Sequence, residues 1–148
     1  KSPFVKLRQP RSKNDINNIE EMKGFQFIYM PEVSCKLVTK EDSIELYVDK
    51  FSSYSIHGDE QENFSTLSSI FVNYNFNGDE FILDDVRFWS EIESNRKDDH
   101  DTRIDIKDGV IKGIAWRFPK NILGEKPIFV FSDIYGNDIT IKLQWEDR

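Results

Sequence analysis

The sequence predicts an all-β fold, an antiparallel sandwich, with a closed barrel of eight to ten strands as the alternative. Three observations predict it. Apolar residues recur at every second position through nine or ten short runs, and no stretch of helical period exceeds about ten residues. Turn dipeptides separate the runs, among them Asn77-Gly78, Asp108-Gly109 and Gly136-Asn137. Aromatic residues make up 14% of a chain that is only 38% hydrophobic. Each large ring buries about 150–250 Å², so a modest apolar fraction can still fill the space between two sheets.

The elements follow in order. Pro3 and Pro10 oppose a helix at the start, so residues 1–14 are read as a basic arm or linker and 15–148 as a single β-rich domain. Ile16, Ile19 and Met22 repeat every third residue behind a cap at Asn14 or Asp15, which suits a short helix ended by Gly24. Phe25, Phe27 and Tyr29 open the two-residue period, interrupted by Pro31. Val33 to Thr39 reads as a strand with Val33, Cys35 and Leu37 on one face. After the polar turn Lys40-Glu41-Asp42, Ile44, Leu46 and Val48 face in while Glu45, Tyr47 and Asp49 face out. Phe51 to Ile56 continues as strand, and His57 to Asn63 is an acidic loop.

Thr66 to Phe76 is the longest alternating run. Ile70, Val72, Tyr74 and Phe76 share its inward face, with Phe71, Asn73 and Asn75 opposite. Asn77-Gly78-Asp79 is read as its hairpin turn and Glu80 to Trp89 as its partner, with a bulge at Asp84-Asp85. Ser90 to Glu93 fits a capping box and one helical turn. Thr102 to Lys107 and Val110 to Phe118 pair around Asp108-Gly109, and Gly113 and Ala115 leave room on one face for a bulky neighbour. Pro119 to Gly124 reads as one helical turn. The last hairpin, Pro127 to Trp145, is the clearest: Ile139, Ile141, Leu143 and Trp145 alternate with Thr140, Lys142 and Gln144. Its first arm is apolar on both faces near its start, as in a central strand.

Charge narrows the function. The net charge is −7, from 20 basic and 27 acidic residues. Five of the basic residues, Lys1, Lys6, Arg8, Arg11 and Lys13, lie in the first fourteen positions, which carry no acid. A body this acidic argues against nucleic acid, whose phosphates need a basic face. The basic arm reads as a solvated linker or as a juxtamembrane segment on the cytoplasmic side of an anchor outside this chain. No apolar run of about 18 residues spans a membrane, no signal-peptide pattern occurs, and a start at Lys1 suggests a piece of a longer protein. The lone Cys35 forms no internal disulfide and reads as a reduced strand residue, in keeping with a reducing compartment.

Candidate chemistry is sparse. Asp98, Asp99, Asp101, Asp105 and Asp108 could offer oxygen ligands to a hard cation, but their spacing matches no EF-hand, and a solvated loop explains them. His57, His100 and Asp101 form a metal or general-base set only if two loops meet. Asp133 and Asp138 flank the last turn. A glycosidase pair needs carboxylates about 5–10 Å apart, whereas turn-making explains both without chemistry. No nucleophile elbow and no phosphate-cradling glycine loop is present.

Tyr47, Phe71, Trp89 and Tyr135 fall on faces or turns that the alternation leaves outside the core, and together they would form a protein-contact patch. The segment Asp133-Ile134-Tyr135-Gly136-Asn137 resembles the last hairpin of an immunoglobulin-like sandwich in general shape. The resemblance covers about twenty residues and carries no functional residue, and it makes the expected sandwich immunoglobulin-like in broad architecture. The expected function is a non-catalytic interaction domain of a larger intracellular protein, cytoplasmic and at the inner face of a membrane if its parent is anchored, with no cofactor. Its partner is another protein or a second copy of itself. The alternative is a small-molecule-binding barrel lined by Phe76, Trp116 and Trp145, with Arg87 or Arg117 fixing an anionic group. A metal-dependent enzyme built on His57, His100 and Asp101 is the third reading.

Overall fold

The structure, a computed structural model, describes residues 30–54, 60–62, 64–94 and 101–143. The basic arm 1–14, the short helix that follows it, the strand from Phe25, His57, Asp98, Asp99, His100 and Trp145 lie outside the described residues.

Two antiparallel sheets face each other and do not close into a barrel. One holds β1 (Glu32–Thr39), β2 (Ser43–Tyr54), β6 (Thr102–Lys107) and β7 (Val110–Pro119), in the order β1-β2-β7-β6, with the short β3 (Glu60–Glu62) paired to the end of β2. The other holds β4 (Leu67–Asn73), β5 (Asp85–Phe88), β8 (Ile128–Asp133) and β9 (Asp138–Lys142), in the order β5-β4-β8-β9. A six-residue helix, α1 (Trp89–Ser94), carries the chain from β5 to β6. Leaving β3 aside, these are the immunoglobulin orders A-B-E-D and C′-C-F-G. The expected sandwich is the observed one, and the barrel is not.

The core lies between the sheets. Ile44, Leu46, Val48 and Phe51 of β2 and Ile114, Trp116 and Phe118 of β7 meet Ile70 and Val72 of β4 and Phe129 and Phe131 of β8. Burying each such side chain is worth about 1.5–3 kcal/mol. Trp116 lies against Phe118, with ring centroids 4.6 Å apart, and edge-on to Phe129 at 6.5 Å. Phe51 and Phe131, 6.4 Å apart, join β2 to β8. These are the counterparts of the strands that antibody domains join by a disulfide. Here an aromatic contact spans the gap, and Cys35 lies elsewhere, on edge strand β1.

Local chemistry sets the ends of the elements. Asp108 and Gly109 have φ of 55° and 75°, the paired positive angles of a tight hairpin turn between β6 and β7. The β8–β9 turn uses Gly136, with φ of 85°, and the Asp133 carboxylate, whose Oδ1 accepts from the N–H of Tyr135 (2.9 Å) and Asn137 (2.8 Å). Helix α1 starts one residue before the expected capping box: Glu91 Oε1 accepts from the Phe88 N–H at 3.0 Å, and buried Ile92 anchors the helix.

Two expectations fail here. The alternation through Phe76 suggests a long strand with a tight turn at Asn77-Gly78, but β4 ends at Asn73. Beyond it the backbone bonds to the segment after β7: Gly124 N–H donates to Tyr74 O (3.0 Å) and Phe76 N–H to Lys126 O (2.8 Å). Asn77-Gly78 does make a turn, within a long connection over 74–84, and Phe76 leaves the inward face. The stretch after Pro119 is likewise a turn and not a helix, with buried Leu123 pinning it.

Candidate functional site

The outward face of the β5-β4-β8-β9 sheet carries a groove of about 820 Å³. Its floor follows from strand register. Phe71 of β4 stands between Val86 of β5 and Val130 of β8, and Val130 stands beside Thr140 of β9. Ile128, two residues before Val130, pairs with Lys142. Phe76, Phe81 and Leu83 of the 74–84 connection form the wall, and Asp79, Asp138, Thr140 and Lys142 the polar rim.

The wall is held by its backbone. Asp84 Oδ2 accepts from the Tyr74 N–H (2.7 Å) and from Asn73 Nδ2 (3.2 Å), while Asn73 Oδ1 accepts from the Ile82 N–H (2.9 Å). Asn77 Oδ1 accepts from the N–H of Asp79 (2.8 Å) and Glu80 (3.3 Å), and Gly78, with φ of 94°, turns the chain. Asn73, Asn77 and Asp84 spend side-chain oxygens on the backbone of this connection. Its apolar side chains are left on the surface: Leu83 is 55% exposed and Ile82 48%. At the rim, Lys142 Nζ lies 5.8 Å from the Phe76 ring centroid, an ammonium over an aromatic face.

A second, smaller cleft of about 500 Å³ opens where the sheets part, lined by Asp42, Tyr74, Asp85, Asp101, Trp116 and Arg117, among others. Arg87 crosses the gap beside it. It donates to Asp101 Oδ2, to Asp85 Oδ1 (2.9 Å) and to Val86 O (2.7 Å), and its guanidinium lies 5.1 Å from the Trp116 ring centroid. Burial alone would lower the Arg87 pKa; Asp101 and then Asp85 outweigh it and raise it. The cation is matched to two carboxylates and clasps edge strand β5 to the opposite sheet. Inward charge of this kind also discourages pairing of an edge strand with another chain.

The residues singled out in the sequence separate accordingly. Tyr47 lies on the outward face of the β1-β2-β7-β6 sheet and Phe71 on the outward face of the other. Trp89 packs against the core from α1, and Tyr135, 41% exposed, sits at the β8–β9 turn. They do not form one patch. Of the proposed ligand set, Trp116 is buried among core rings, Arg87 is held by two carboxylates, Arg117 is exposed at the other cleft and Phe76 is in the groove. Among the described residues the set is divided: Phe76 lines the groove, while Trp116 and Arg117 line the second cleft. Asp101 pairs with Arg87. Among the described residues no group of three or more His, Cys, Asp or Glu side chains converges to hold a metal. Burial, with a contribution from Asp49, pushes the Cys35 thiol up to about 12, so it stays protonated and is a poor nucleophile near neutral pH.

Ile128, Val130, Phe81 and Leu83 were not singled out from sequence. The signal was there in part: the first arm of the last hairpin is apolar on both faces, so its outward face needs a cover. What the sequence does not show is that the connection after β4 folds back along that face.

Fold and surface together define an antiparallel sandwich of immunoglobulin-type strand order with an external apolar groove. Comparison with protein-family models, with curated proteins and with solved structures found no match for the chain.

Proposed function

We propose that this is a non-catalytic binding domain whose working surface is the groove on the outward face of the β5-β4-β8-β9 sheet. The observation that carries the reading is the lining: Phe71, Phe76, Phe81, Leu83, Ile128 and Val130 around about 820 Å³. That volume lies within the range of about 300–1,000 Å³ found for small-molecule sites. Concavity favours a convex ligand over a second copy of the same face, because two hollows pressed together leave a void where a stable interface packs densely.

A cytoplasmic setting, at the inner face of a membrane where a larger parent is anchored, is part of the same proposal. The basic residues of 1–14 and the single thiol support it. Among the described residues no helix is long and apolar enough to cross a membrane.

The test is titration with Nile red, a neutral apolar dye, followed by fluorescence. The wild-type chain should bind it saturably, and Phe81→Ser with Leu83→Asp should weaken binding at least about tenfold. Absence of saturable binding, or equal binding by the double variant, would remove the groove as the site.

A further inference from the structure

We infer that the groove selects a small amphiphile with an apolar body and a cationic, alkylammonium-type head. The inference rests on the binding reading above and adds the chemistry of the occupant. The lining decides against a peptide. An extended peptide brings an N–H and a C=O at each residue, and each must find a partner once taken out of water. The six apolar side chains of the lining present no hydrogen-bonding groups, and the polar ones, Asp79, Asp138, Thr140 and Lys142, stand at the rim. The groove therefore suits a ligand whose polar group is confined to one end.

The sign of that end follows from the rim. Two carboxylates face one ammonium, and the ammonium, Lys142, already lies over the Phe76 ring. That contact shows a cation resting against the aromatic wall, where a ligand's ammonium would find the same attraction from Phe71, Phe76 or Phe81. An anionic head would have to draw Lys142 away and then lie near Asp79 and Asp138. The net charge of −7 acts in the same direction at longer range.

The experiment titrates three probes of equal chain length into the full chain below their micelle concentrations: octyltrimethylammonium, octanol and octanoate. Amide chemical shifts at Phe71, Leu83 and Val130 are followed. The ammonium probe should bind at least about tenfold more tightly than octanoate, a difference of about 1.4 kcal/mol, with octanol between them. Asp79→Asn should narrow that gap to under about threefold while the loop keeps its turn, because the Asp79 backbone N–H, not its carboxylate, bonds Asn77. Equal or reversed binding of the charged probes overturns the head-group inference, while octanol shifts at these amides keep the groove. A gap unchanged in Asp79→Asn overturns the role of that carboxylate. No shift with any probe removes groove and inference together.

Discussion

The two outward faces of this sandwich solve the same problem in opposite ways. On the β1-β2-β7-β6 sheet, β7 places the small residues Gly113 and Ala115 in the middle of the face. Side chains from β2 and β6 reach each other across them. Arg103 bonds Glu45 over Ala115 (2.8 Å) and Asp105 beside it (3.0 Å), Lys40 approaches Glu45 (3.9 Å), and the Tyr47 hydroxyl reaches Asp105 across Gly113. Glu45 ends only 8% exposed. Burial, and then the Asp105 bond, raise the Tyr47 pKa. On the other sheet β8 places the apolar Ile128 and Val130 at the equivalent middle, beside the wall of Phe76, Phe81 and Leu83, with Ile128 only 3% exposed and Val130 half-buried. One face is sealed by side chains that satisfy each other. The other is left apolar and concave, and that difference carries the functional proposal.

The largest expected effect breaks the sealed face. A Cβ at Gly113 would run into the Tyr47 ring and hydroxyl. Gly113→Val should therefore lose about 2 kcal/mol of stability, in the range for overpacking, measured by urea unfolding. Adding Tyr47→Ala should recover more than half of it, because contacting residues couple. Additive losses would show that the strand, and not the ring, resents the side chain.

Second comes Glu45→Ala, which should lose about 1 kcal/mol. The charge-assisted bond to Arg103 disappears, but the Arg103 side chain is 47% exposed and regains water, so the loss is smaller than for a fully buried pair. A matching Arg103→Ala and the double variant complete the cycle. A coupling near zero would mean the seal is steric only.

These cases show what the sequence makes legible. The room at Gly113 and Ala115, the outward set Glu45, Tyr47 and Asp49, and the Asp108-Gly109 turn were all readable, because strand period and turn chemistry are local. Glu45 as a buried group was not, since its cover comes from β6, far along the chain. Phe76 misled for a related reason. The alternation continues past Asn73, but backbone partners at Gly124 and Lys126 capture that stretch and turn its ring to the opposite face. Trp89 looked outward until α1 carried it back onto the core. The groove combines a readable part, the two-faced apolar arm of β8, with a tertiary part, the connection folded along it.

The third expectation concerns the hairpin that bounds the groove. Burial raises the Asp133 pKa, and bonds from Asn137 and Tyr135 offset this only in part. A carboxyl whose folded pKa lies above its unfolded one binds more protons when folded. Its contribution to stability therefore grows as pH falls from neutral through the folded pKa, and is complete below the unfolded value, about 3.9. Compared at matched pH, Asp133→Asn should remove this rise. A wild-type minus variant difference that does not vary with pH would show that the burial is relieved in solution.

The smallest effect on stability should come with the largest on binding, and it sharpens the comparison most. Leu83 is 55% exposed, and its side chain makes no part of the buried core. Leu83→Asp should change stability by no more than about 0.5 kcal/mol, as surface substitutions do. On the sealed face, by contrast, stability and surface chemistry are the same thing, because the groups that cover it also hold it. If the open face is kept for a ligand, the two should come apart there: unfolding midpoint unchanged, Nile red affinity reduced severalfold. A fall in both would mean that Leu83 covers β8 as a structural lid, and that the second face is sealed in its own way.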